Sequence, residues 1–204
     1  MIREEFEPLL ARLGDRVSER RMRLFACAYV RQVWDWLSDA RSCRAIEVAE
    51  RFADSAAEEA ELVAAHEAAG KAAQQADRAA ALSAAPLAWR MTPIHAALGL
   101  AGLLHTGGEV ELLRCIFGDL LHHSAPCHDV QPSIGAGDHV AELARCAYEH
   151  RQQPSGTLDP SRLAALADGL QEIGCTDADL LEHLRGPGPH VRGCWALETI
   201  LKWL

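Results

Sequence analysis

The sequence predicts an all-α protein, a compact multi-helix bundle of about eight to ten helices that includes one long alanine-rich helix. Three observations carry that expectation. Apolar residues recur three and four apart along most of the chain, the period of a helix with one face in a core. Runs that alternate β-branched or aromatic residues with polar ones are missing, so nothing reads as a half-buried strand. Cap residues, prolines and glycines stand where helices of ordinary length would start and stop.

Taken in order, Phe6 to Leu13 reads as a short opening helix. Ser18 caps a helix predicted to reach Leu37, with Met22, Phe25, Ala26, Tyr29, Val33 and Leu37 on one face. A second helix from Ala40 carries Cys43, Ile46, Ala49 and Phe52 or Ala53 at the same spacing, and the short Ser38-Asp39 joint makes the two an antiparallel pair. From Ala53 to Ala88 alanine dominates and Gly70 is the one strong breaker before Pro86, so propensity predicts a long helix with a small-residue face. Thr92-Pro93 starts a helix to His105, and Glu109 to Phe117 forms another, acidic at its start as the helix dipole favours. After Gly118 the residues His122, His123, Pro126, Cys127, His128, Pro132, Gly135 and Gly137 mark an irregular loop. Asp138 caps a helix through Tyr148, Gln152 to Gly156 is a linker, and Asp159-Pro160 opens a helix to Ile173. Thr176 caps a short helix ending at Gly186, and Pro187-Gly188-Pro189 reverses the chain into a last helix from His190 to Trp203. The expected organisation is a helical region 1–117, a His/Cys loop 118–137 and a helical region 138–204.

With 204 residues, 49% hydrophobic and 24% charged, the chain is long enough to bury a core without disulfides or metal. Its net charge of −9 disfavours a nucleic-acid partner, since phosphate binding needs a basic face. Arg16, Arg20, Arg21, Arg23 and Arg31 form the one basic concentration, with Glu19, Asp35 and Glu47 as expected surface counter-charges. The longest apolar stretch, Met91 to Leu104, is too short to cross a bilayer. Seven cysteines without paired spacing, behind a start that lacks an apolar signal segment, place the expected protein in the reducing cytoplasm.

Two stretches carry a resemblance. Arg21-Met22-Arg23-Leu24-Phe25-Ala26-Cys27-Ala28, then Trp34 and Ala45 to Asp54, are similar to the opening of an uncharacterised bacterial family expanded in planctomycetes. The ending resembles that family too, in Gly174-Cys175-Thr176-Asp177, His183 and Gly188-Pro189-His190-Val191-Arg192-Gly193-Cys194-Trp195. Cys115-Ile116-Phe117-Gly118 also fits, although Asp119-Leu120-Leu121-His122-His123 stands where the family has an Asn-Pro-Phe-type turn. The resemblance implies no activity.

Two clusters hold metal-competent groups. Near the C-terminus stand Cys175, His183, His190 and Cys194. His190 and Cys194, four apart at a predicted helix start, would share one face, a spacing suited to tetrahedral zinc. Cys175 and His183 are separated by about 12 Å along a helix axis, which removes Cys175 and leaves His183, His190 and Cys194. The competing reading makes these groups core thiols and a satisfied histidine, and residue types alone favour it. The second cluster is His122, His123, Cys127 and His128, with His139 nearby and Asp129 as the adjacent carboxylate. It lacks the paired C-x-x-C or H-x-x-x-H clips of structural sites, and a polar loop is the plainer reading. Cys27 and Cys43 lie on apolar helix faces and make poor nucleophile candidates, and no glycine-rich phosphate loop is present.

Trp34 and Trp36, two apart, cannot share a helix face, and Trp203 ends the chain's last helix. Trp36 and Trp203 are therefore the candidate partner-binding residues. Together these features predict a non-enzymatic helical interaction module or a subunit of a larger assembly, with a protein partner and either no cofactor or zinc. The rival is a metal-dependent hydrolase or nuclease built on the His/Cys-rich loop.

Overall fold

The computed structural model describes residues 8–9, 11–37, 39–75, 108–121 and 136–203, and it is all-α and multi-helical. Its helices are α1 (Glu19–Arg31), α2 (Ala40–Ala53), α3 (Glu59–Gln75), α4 (Glu109–Leu121), α5 (Ala136–Glu149), α6 (Pro160–Glu172), α7 (Ala178–Arg185) and α8 (Trp195–Trp203). A two-stranded antiparallel ribbon, β1 (Arg151–Gln152) with β2 (Thr157–Leu158), sits between α5 and α6. None of the described helices is long and apolar enough to cross a membrane. The chain separates into two units, Met1–Val110 and Glu111–Leu204, with the division in the first turn of α4.

In the first unit α2 packs against both α1 and α3. Ser18 caps α1 through its hydroxyl, which accepts from Arg21 N, and Asp39 caps α2 by accepting from Arg41 N. The core is Leu24, Phe25, Tyr29 and Val30 from α1 against Ile46 and Ala49 from α2 and Leu62 from α3. Three expectations change here. Helix α1 stops at Arg31 and not at Leu37, because Val33 leaves helical dihedrals and Trp34–Trp36 continues as a 3-10 turn. The alanine-rich helix does not grow out of α2: a turn at Asp54 and Ser55, with Ser55 at φ +58°, separates them. Its reach beyond Gln75, and the predicted helix from Thr92 to His105, lie outside the described residues.

Arg31 is the third correction. It is buried and forms a two-armed ion pair with Glu50, Nε to Oε1 at 2.5 Å and Nη2 to Oε2 at 3.0 Å. Its guanidinium also lies 4.6 Å from the Trp34 ring centroid. A counter-charge one turn beyond Glu47 on α2 has thus replaced the expected surface partner. Tyr29 donates its hydroxyl to buried Glu109 Oε1 at 2.8 Å.

In the second unit α5 packs on α6 and α8, and α7 touches both α6 and α8. Leu163, Leu166, Leu170, Leu180, Leu184, Leu197 and Ile200 fill the interior. Asp159 caps α6, with Pro160 in its first turn. The cap of α7 is Asp177, whose carboxylate accepts from Leu180 N, and not Thr176. Gly118 does not end α4, which runs on to Leu121 past a kink at Phe117. The segment Gln152 to Gly156, expected as a plain linker, is the end of β1 and the turn of the ribbon, whose Thr157 also bridges to Val191.

Candidate metal centre

Cys115, His183, His190 and Cys194 converge inside the second unit, one ligand atom from each lying within 4.8 Å of every other. Three separate local structures bring them there. Cys115 sits mid-helix on α4, where Ile116 and Phe117 beside it are fully buried. His183 is in the last turn of α7, which Gly186 terminates. His190 and Cys194 flank a turn that precedes α8. The predicted helix over 190–194 does not form. Val191 is held by pairing with Thr157, and Gly193 takes φ +86°, a left-handed conformation that suits glycine. His190 and Cys194 thus meet across a turn instead of along a helix face, and the Cys194 N–H bonds back to the Val191 carbonyl at 3.0 Å.

The local geometry is that of a ligand set. His183 Nε2 is 3.3 Å from Cys194 Sγ. The two imidazoles stand edge to face, 4.9 Å between centroids and 87° between planes, so their nitrogens approach from different directions. His190 donates from Nε2 to the Gly186 carbonyl at 3.1 Å, which fixes its tautomer and leaves Nδ1 as the lone-pair nitrogen. That Nδ1 is buried without a hydrogen-bond partner. An orphaned buried acceptor is costly and uncommon, whereas a histidine held by a carbonyl on one nitrogen and free to ligate with the other is the usual arrangement around zinc.

Electrostatics favour charge on one of the two thiols. Burial opposes the Cys194 thiolate, but the Cys115 thiol and the His183 and His190 imidazoles around it outweigh that cost and hold its ionisation well below the usual thiol range. Burial, then the proximity of Cys194, push the Cys115 thiol well up. Burial likewise opposes the His190 imidazolium, yet the nearby Cys194 sulfur and the Gly186 carbonyl carry its ionisation above the ordinary histidine value. A thiolate surrounded by imidazoles and a second thiol is the metal-binding form of cysteine.

Packing supports the set from outside. The Trp195 ring lies 5.3 Å from that of His183. It reaches this position because residue 118 is glycine: a Cβ there would stand 2.3 Å from Trp195 Nε1. Cys115 and Gly118, three apart on α4, are thus one ligand and the space that admits the aromatic backing of another.

Among protein-family models, curated proteins and solved structures, nothing matches this chain. The donor chemistry stands by itself: two thiols and two imidazoles suit zinc, whose bonds of about 2.3 Å to sulfur and 2.0 Å to nitrogen imply donor separations of about 3.3 to 3.8 Å in a tetrahedron. A contraction of about 1 Å from the present spacing would reach it.

Of the groups singled out in the sequence, His183, His190 and Cys194 are brought together, while Cys175 is buried elsewhere beside Thr176 and Glu182. Cys115 was missed. It lies on an apolar helix face, where a ligand and a core thiol read alike, and no local spacing ties it to the C-terminal residues. His122, His123, Cys127 and His128 lie outside the described residues, as do the side chains of Trp36 and Trp203.

Proposed function

We propose that this chain is a non-enzymatic helical module whose second unit is held by a structural zinc ion on Cys115, His183, His190 and Cys194. The observation that carries the reading is the orphaned Nδ1 of His190, buried inside a Cys₂His₂ set and anchored through its other nitrogen. Catalytic zinc keeps a coordination position open for water or substrate, whereas four protein donors close the shell. The metal therefore serves shape, and a helical shape held rigid in this way suits recognition. A protein partner engaged through Trp36 and Trp203 fits this reading, and a cytoplasmic setting suits thiols that must stay reduced to ligate.

The test is elemental analysis of full-length protein purified without chelators, together with cobalt substitution. About one zinc per chain is expected, with intense visible bands from tetrahedral cobalt bound to thiolate. Cys115→Ser and His190→Ala should each lose the metal. Metal-free wild type that takes up neither ion, or full occupancy in both variants, overturns the assignment. For the recognition role, Trp36→Ala or Trp203→Ala should weaken partner capture with thermal stability nearly unchanged.

A further inference from the structure

The four ligands are not equivalent, and their inequality has a kinetic meaning. Cys115 is 1% exposed, His190 3% and Cys194 0%, while His183 alone is partly open to solvent. Their anchoring differs in the same sense. His190 is pinned through Nε2 to the Gly186 carbonyl, Cys115 is fixed mid-helix on α4, and Cys194 is held by its N–H bond to Val191 at the start of α8. Among the described residues no carbonyl or carboxylate holds the His183 ring, whose neighbours are Cys194 Sγ and the faces or edges of His190 and Trp195. Its helix, α7, has only eight residues.

A metal leaves a closed four-coordinate shell when one ligand swings away or an incoming donor attacks the ion. Either event requires a ligand that can move and an edge that a donor can reach. Only His183 meets both conditions. Resting on the metal assignment above, we propose that the centre is exchangeable in the folded protein, and that zinc enters and leaves at the His183 edge. The position His183 vacates would accept an exogenous imidazole or thiolate donor of the kind that carries zinc between proteins. Cys115, His190 and Cys194 would remain as the retaining ligands throughout the exchange. The bonds exchanged are metal–ligand bonds alone: the incoming donor forms one as the His183 nitrogen releases one, with no change of oxidation state.

The experiment follows zinc release from the full-length, zinc-loaded protein to a coloured pyridylazo chelator at several chelator concentrations. Release from wild type should accelerate in proportion to chelator. His183→Ala should release zinc faster than wild type by more than about 10-fold, the least that losing even an outer partner of a metal site costs. Millimolar imidazole should slow that variant's release again, because the vacated position faces water. His190→Ala, which holds no zinc by itself, should not recover it in imidazole, its vacated position being buried. A wild-type rate independent of chelator would mean that zinc waits for the fold to open, and would overturn the inference even if His183→Ala failed to fold. Equal rescue of both variants would overturn it too. In either case zinc content would leave the structural assignment standing, whereas a wild type that binds no zinc would sink both.

Discussion

Replacing Glu50 by Ala would leave the Arg31 guanidinium, on a side chain 3% exposed, charged and without its two-armed acceptor. Breaking one half of a buried pair costs about 3–5 kcal/mol, so Glu50→Ala should lower the urea-unfolding free energy by about 3 kcal/mol. Replacing both partners, as in Arg31→Met with Glu50→Leu, should recover most of that loss. Equal damage from the single and double variants would show that the pair is not the source. At the protein surface Asp39 behaves differently. The Arg41 side chain, then its backbone N–H, lower the Asp39 ionisation from 3.8 to about 2. A carboxylate with a depressed value contributes stability above its unfolded value and loses it as pH falls through the folded one. The stability difference between wild type and Asp39→Asn should therefore be constant above about pH 5 and shrink as pH falls through 3.8 toward 2, which acid titration of the two proteins would measure. Both residues show what a sequence can and cannot reveal at this scale. Asp39 beside Arg41 is a local arrangement, and the short Ser38-Asp39 joint that holds it is legible before any fold is known. Arg31 with Glu50 spans nineteen positions, and only the packing of α1 on α2 selects Glu50 over Glu47.

Among the elements, α4 and the turn before α8 decide the candidate site. Gly118→Ala would gain helix propensity of about 1 kcal/mol, but its Cβ would fall 2.3 Å from the buried Trp195 indole. Overpacking of this kind costs about 1–3 kcal/mol, so the variant should be less stable. It should also bind zinc more weakly, since displacing Trp195 removes the ring that backs His183. Calorimetric melting with a competitive zinc titration would check both, and a stabilised variant with unchanged affinity would exclude this role for Gly118. Some helix ends with local chemistry were legible in the sequence: Ser18 and Asp159 cap where they were expected to, whereas Asp138 lies inside the first turn of α5 and Asp177 takes the place of Thr176. The start of α8 was not. His190 follows a Pro-Gly-Pro reversal and looks like a helical beginning, but the pairing of Val191 with Thr157 comes from a ribbon thirty-odd positions earlier. Period-based reading sees neighbours along the chain, and this turn is set by contacts across it.

At the scale of the whole molecule, the candidate centre belongs to only one of the two units. A ligand that binds the folded state stabilises it according to its concentration over its dissociation constant. Calorimetry of the full chain should therefore show a chelator lowering the melting of Glu111–Leu204 while a second transition, from Met1–Val110, stays in place. A single transition that ignores the chelator would contradict this. The all-α class was legible because helical period and caps repeat along the chain, and three of the four converging residues were legible because they cluster within twelve positions. Cys115 was hidden because its relation to them exists only in three dimensions. That separation has a practical corollary. Cys115 and the other three donors lie on opposite sides of residues 122–135, so a protease site engineered into that segment would cut the covalent link between them without touching a ligand. With zinc bound, the two pieces of the nicked chain should travel together through a native sizing column and part when chelator is added, the ion having taken over the work of a peptide bond.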